Sequence, residues 1–149
     1  MNILFVCTGN TCRSPMAEAI LRHKNLDDTD VRSAGIFAMD GGQASPQTQQ
    51  VLDENGIKHN HQSHCVTQDD VHWADYVFAM TSAHKAMLAE KYPFAMDRIF
   101  TLKEFASGMG LDVSDPFGGS VDMYRRTYQE LNQLMNGLIA NIEKQKLGY

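Results

Sequence analysis

Short continuous apolar runs alternate along the chain with longer stretches in which apolar positions recur every three or four residues. Residues 3–6 (Ile-Leu-Phe-Val) form an unbroken run of strand formers, which predicts a strand buried on both faces. Thr8-Gly9-Asn10-Thr11 breaks that run with turn chemistry. Ser14-Pro15-Met16-Ala17-Glu18 then reads as a helix start, with Ser14 as cap, Pro15 where its missing N–H costs nothing, and Glu18 in the first turn. The alternation repeats. Residues 31–34 predict a second strand, followed by a helix from about Ser45-Pro46 to Asn55-Gly56. Residues 75–80 predict a third strand with a helix over 82–91, and residues 98–102 a fourth. From Ser120, the apolar positions Val121, Tyr124, Tyr128, Leu131, Met135, Leu138 and Ile142 have the spacing of one long amphipathic helix.

Strands alternating with helices mean a parallel sheet covered by helices on both faces, an α/β architecture. No repeat, low-complexity segment or linker divides residues 1–149, so one domain is expected. In such sheets ligands bind outside the carboxyl ends of the strands, near a topological switch point. The loop after the first strand therefore lies at the expected site before any motif is considered.

Composition narrows the picture by exclusion. The 149-residue chain is 43% hydrophobic and 21% charged, which is ordinary for a folded domain. A formal charge of −5 without a Lys/Arg run argues against nucleic-acid and anionic-membrane partners. The start, Met1 to Cys12, lacks a basic segment and a long apolar run, so neither a signal peptide nor a membrane span is read there and a cytoplasmic address is expected. Three cysteines, Cys7, Cys12 and Cys65, make no complete disulfide framework. In a reducing compartment, a cysteine in a Gly-rich turn points to catalysis or redox chemistry.

Cys7 and Arg13 are separated by five residues, and Ser14-Pro15 follows. That spacing alone is weak, but its context is specific: Cys7 ends a buried strand, Gly9 and Asn10 tolerate unusual backbone angles, and Arg13-Ser14 opens a helix. A loop wound this way turns successive N–H groups inward as an anion nest, to which the helix terminus adds partial positive charge. Phosphoryl oxygens would be cradled by the amides of Thr8 to Ser14 while Arg13 grips two of them bidentately. Cys7 would lie beneath the phosphorus as nucleophile, its pKa depressed by the same groups. The nucleotide-binding pattern G-x-x-x-x-G-K-[ST] is absent. The leaving atom must be protonated as its bond to phosphorus breaks, and Asp115-Pro116-Phe117, in a Gly-rich loop after the fourth strand, supplies the general acid. Asp115 would then act as base on water.

The stretch Val6-Cys7-Thr8-Gly9-Asn10-Thr11-Cys12-Arg13-Ser14-Pro15, with Ser33-Ala34-Gly35 and Asp115-Pro116, resembles the low-molecular-weight protein tyrosine phosphatases over essentially the whole chain. The resemblance implies a flavodoxin-like four-stranded parallel sheet and a cofactor-free and metal-free two-step mechanism through phosphocysteine. It also implies that Asn10 and Ser14 brace the loop and the thiolate. Two positions depart from the tyrosine-directed branch: Thr11 replaces a bulky aliphatic residue, and Gly118-Gly119 replaces the second aromatic after the one matching Phe117. In both, the chain looks more like the bacterial protein arginine phosphatases of the same family, with Thr11 and Phe117 as specificity residues. Phosphorylated proteins, phosphoarginine above phosphotyrosine, are the partners this implies, and a monomer is expected. A phosphoguanidinium is planar, polar and donor-rich, and suits a small polar wall and a carboxylate where a phosphotyrosine ring suits apolar walls.

Other signals carry less. His59, His61, His64 and Cys65 could share one strand face, but no second cysteine pair accompanies them and the chemistry needs no metal, so a polar strand or loop is preferred to a zinc site. The nine methionines, Trp73 and Tyr76 read as packing. Cys12 is the natural partner for a protective disulfide with Cys7, as in some relatives. A thioredoxin-coupled arsenate reductase needs two further cysteines after the third strand, and positions 81–149 have none. A phosphate-binding module has no use for a nucleophile and an acid together.

Overall fold

The structure, a computed structural model, describes residues 1–148. Four parallel strands, β1 (Asn2–Cys7), β2 (Asp30–Gly35), β3 (Tyr76–Ala79) and β4 (Ile99–Thr101), form one sheet in the order β2-β1-β3-β4. The helices are α1 (Arg13–His23), α2 (Pro46–Glu54), α3 (Gln68–Trp73), α4 (Ser82–Lys91), α5 (Leu102–Ser107) and α6 (Val121–Lys146), with a 3₁₀ turn at Pro93–Arg98. This is the expected four-stranded α/β fold.

Successive strand side chains point to opposite faces, so β1 feeds two cores at once. Ile3 and Phe5 enter the core shared with α1, α2, α5 and α6, whereas Leu4 and Val6 enter the one shared with α3 and α4. All four are fully buried, which explains why the run shows no alternation. Helix α6 contributes Tyr124, Leu131, Met135, Leu138 and Ile142 to the first core, as its spacing predicts.

Several local expectations need correction. Ser14 does not cap α1: Cys12 occupies the N-cap without a side-chain cap bond, and the Ser14 hydroxyl is engaged at Cys7. The fourth strand stops at Thr101, whose hydroxyl caps α5 in a reciprocal capping box with Glu104. Both α3 and α5 were invisible to apolar periodicity because each spans six residues, yet Thr67-x-x-Asp70 and Thr101-x-x-Glu104 carry capping signals. Of the polar strand or loop expected for His59, His61 and His64, the structure shows loop, and Cys65 bridges to Gly35.

The strand order decides where a site can lie. From β1 the chain crosses to β2 on one side, then returns to place β3 on the other, so the switch point falls at the end of β1. Cys7 ends β1 there, and Val113 N–H, bonded to the Met80 carbonyl at 2.9 Å just past β3, brings the Asp115 loop to the same edge.

Candidate active site

Between Cys7 and Arg13 the carbonyls turn outward into the protein. Cys7 O accepts from Ile36 N–H, Thr8 O from Phe37 N–H, Asn10 O is 2.7 Å from His61 Nε2, Thr11 O accepts from Ser45 N–H and Thr48 Oγ1, and Cys12 O accepts from Met16 N–H. In a trans peptide the carbonyl and the following N–H point in opposite directions. The N–H groups of Thr8, Gly9, Thr11, Cys12 and Arg13 are thereby turned toward the centre of the loop, the anion nest expected from the sequence.

Asn10 is the pivot. Its φ of 57° lies in the left-handed region that Asn tolerates, and its side chain donates to Ser14 Oγ at 2.8 Å and Ser33 Oγ at 3.0 Å. The same side chain accepts from His64 N–H. Gly35 is needed for a steric reason: a Cβ there would lie 2.5 Å from Thr8 O and 2.9 Å from Asn10 N. The Ser-Ala-Gly at the end of β2 is therefore a socket for the loop.

A cavity of ≈ 280 Å³ is lined by Cys7, Thr8, Gly9, Thr11, Cys12, Arg13, Asp115 and Phe117. The structure thus gathers nearly every residue singled out in the sequence; Asn10 and Ser14 brace the cavity from behind. Arg13 is buried, donates to Val113 O at 3.1 Å and faces Asp115 Oδ2 at 3.4 Å. Asp115 itself is 54% exposed, and its other oxygen accepts from Phe117 N–H at 3.0 Å. Pro116 to Gly119 forms a turn closed by Gly119 N–H to Pro116 O at 2.8 Å, with Gly118 at φ 77°. An aromatic at position 118 would be strained in that turn, and Phe117 stands 78% exposed at the rim.

Cys7 Sγ lies 2.8 Å from Ser14 Oγ. Burial pushes the Cys7 thiol up, and the Ser14 hydroxyl, the N–H groups of Ser14 and Asn10 and the Arg13 charge pull it down without overcoming burial. Burial and the surrounding donors thus act on the thiol in opposite directions. Cys12 is also buried and free, its Sγ 3.3 Å from Tyr124 Oη. Burial and the Cys12 contact push Tyr124 up to about 12.

Sequence reasoning missed His84. It lies in the first turn of α4 with Nε2 2.8 Å from Thr8 Oγ1, and burial first, then the Arg13 charge, hold it below the usual imidazole range. No local pattern signals it, since α4 reaches the loop only through the sheet. The histidine cluster also divides. His64 pairs with Asp70 at 2.7 Å, whereas His59 and His61 turn toward Glu18.

A cysteine and an arginine flanking an anion nest at the switch point of a four-stranded parallel sheet, with an aspartate beside the arginine, are an arrangement suited to cysteine-centred phosphate chemistry. Residues 2–147 match the family described as low molecular weight phosphotyrosine protein phosphatase, and the chain belongs to that family. It is 47% identical over 144 residues to a protein-arginine-phosphatase of Geobacillus stearothermophilus, covering 97% of each chain. A low molecular weight protein-tyrosine-phosphatase PtpB of Staphylococcus haemolyticus is 40% identical over 141 residues, covering 95% of this chain and 99% of that one. The solved YwlE arginine phosphatase from Geobacillus stearothermophilus superposes with a TM-score of 0.95 over 99% of this chain and 96% of that one.

Proposed function

We propose that this protein is a protein arginine phosphatase working through a phosphocysteine. Cys7 Sγ attacks phosphorus, the S–P bond forms as the P–N bond breaks, and the proton of the Asp115 carboxyl passes to the departing guanidino nitrogen. Asp115, now a carboxylate, takes a proton from water whose oxygen attacks phosphorus. The S–P bond then breaks and releases inorganic phosphate and the Cys7 thiolate. Arg13 and the inward N–H groups hold the phosphoryl oxygens, strengthening as negative charge spreads over them. Thr8, Gly9, Thr11 and Cys12 complete the cradle, and Asn10 and Ser14 support it.

One observation carries the arginine reading: Thr11 puts a hydroxyl in the wall where an aliphatic residue would receive a tyrosine ring, in the cavity that the half-exposed Asp115 carboxylate also lines. The similarity to a protein-arginine-phosphatase supports it. Phosphotyrosine is the second reading, favoured by the 40% identity to a protein-tyrosine-phosphatase. The test compares kcat/KM on a phosphoarginine protein and a phosphotyrosine peptide in wild type and Thr11→Ile. Arginine preference that shifts toward tyrosine in the variant supports the reading; tyrosine preference in the wild type sinks it while leaving the mechanism standing.

Residues 1–149 are read as one domain acting as a monomer on phosphorylated proteins in the cytoplasm, without nucleic acid, membrane or cofactor. Among the described residues, no helix is long and apolar enough to cross a membrane. Cys12 is read as a redox partner of Cys7, both thiols being free and lining one cavity.

A further inference from the structure

We propose that Glu18, His59 and His61 form a binding site for a divalent transition-metal ion of the zinc class, behind the phosphate loop and separate from the catalytic cavity. One donor atom from each lies within 4.8 Å of the others, and both imidazoles converge on a single carboxylate oxygen. Glu18 Oε2 is 2.6 Å from His59 Nε2 and 3.7 Å from His61 Nδ1; Arg22 approaches the other oxygen, Oε1, at 3.6 Å. Two nitrogens and one carboxylate oxygen are a donor set suited to such ions, with water as a fourth ligand.

Three features point beyond a simple ion pair. His61 Nε2 lies 2.7 Å from Asn10 O, which can only accept, so Nε2 carries a proton and Nδ1 is the ring atom that faces Glu18. A ligating histidine that donates its other N–H to a backbone carbonyl is the usual support of a metal site. The His59 side chain is 6% exposed, yet its Nε2 has no hydrogen-bond partner despite the nearby carboxylate, which lies out of line with it. Glu18 is buried in the middle of α1, and burial of a carboxylate demands compensating positive charge. A cavity of ≈ 320 Å³ lined by Arg22, His23, Lys58 and His59 reaches one of the three ligands, His59.

Metal–ligand distances of about 2.0–2.2 Å in tetrahedral geometry separate neighbouring donors by more than the present His59–Glu18 contact. His59 would move slightly outward in its loop, while His61 stays on Asn10. Occupancy would thus hold the His61 bond to the phosphate loop without adding an atom to the catalytic cavity. This inference does not depend on the phosphatase reading.

The test titrates metal-stripped protein with Zn²⁺ by calorimetry and with Co²⁺ by absorption, in wild type, Cys7→Ser, His59→Asn and Glu18→Gln. Wild type and Cys7→Ser are expected to bind one equivalent, with tetrahedral cobalt bands and no sulfur-to-cobalt charge transfer. His59→Asn and Glu18→Gln are expected to weaken binding by ~10-fold or more, and affinity should fall as acid protonates the imidazoles. Binding abolished by Cys7→Ser, binding unchanged in His59→Asn, or no binding in wild type would each overturn the proposal. In the last case protons alone neutralise Glu18. Circular dichroism checks that the variants fold, and His59→Asn, a loop substitution, carries the test if Glu18→Gln does not.

Discussion

Ser14→Ala isolates how much of the Cys7 reactivity is built by one hydroxyl. Asn10 Nδ2 donates to Ser14 Oγ at 2.8 Å, and the hydroxyl proton has Cys7 Sγ at 2.8 Å as a nearer acceptor than Ala34 O at 3.5 Å. The Ser14 side chain is the largest contribution opposing the upward push of burial on Cys7. A hydrogen bond to a charged group contributes about 1.5–3 kcal/mol, and about 1.4 kcal/mol corresponds to one pH unit. The variant should therefore push the Cys7 pKa further up. Nucleophilicity also rises with pKa, with a slope of about 0.4–0.5. Two signatures follow: alkylation of Cys7 by iodoacetamide should slow by roughly 3–10-fold at neutral pH, and its alkaline plateau should rise. The assay follows alkylation rate against pH, with Cys7 distinguished from Cys12 by peptide fragmentation, beside kcat/KM profiles of both proteins. An unmoved midpoint would refute the reasoning and leave Ser14 as a brace for Asn10 only. Thermal melts check that the fold is kept.

Asp115→Asn keeps the side-chain shape but removes the proton, so kcat is expected to fall by roughly 10²–10⁴-fold with little change in competitive inhibition by inorganic phosphate; an unaffected kcat would place the acid elsewhere. Gly35→Ala puts a methyl group 2.5 Å from Thr8 O, so it should destabilise the fold and lower kcat/KM together, read by urea denaturation and turnover. Burial raises the Glu18 pKa, but the close approach of His59 and His61 and the Arg22 charge outweigh it, taking the group from 4.5 to about 2. A carboxylate depressed in the folded state stabilises above its unfolded pKa, and that stability is lost as pH falls through the folded value. At about 1.4 kcal/mol per pH unit, Glu18→Gln should cost about 3.5 kcal/mol at pH 7, with the deficit closing between pH 4.5 and about 2 in chelator-containing urea titrations. For redox control, peroxide should oxidise Cys7 to a sulfenic acid that the Cys12 thiol displaces with loss of water; inactivation reversible by dithiothreitol in wild type and irreversible in Cys12→Ser is expected.

The loop from Cys7 to Arg13 was legible because its chemistry is local. A buried strand, a Gly-Asn turn and a helix start are contiguous, and backbone sterics alone turn the amides inward. Alternating apolar segments likewise determined the four-stranded α/β fold. Asp115, which lines the cavity, was singled out only by combining a Pro-adjacent aspartate with the rule that loops after parallel strands return to one edge. The tertiary structure decided the rest, because each case turns on burial or on partners far apart in sequence. It set the Cys7 pKa by enclosing the thiol, a quantity no motif contains. It brought His84 to Thr8, closed Gly35 onto the loop and split the histidine cluster. His61 reaches Asn10 across fifty-one positions and His59 reaches Glu18 across forty-one, distances over which only a packed core, not residue spacing, holds two side chains together.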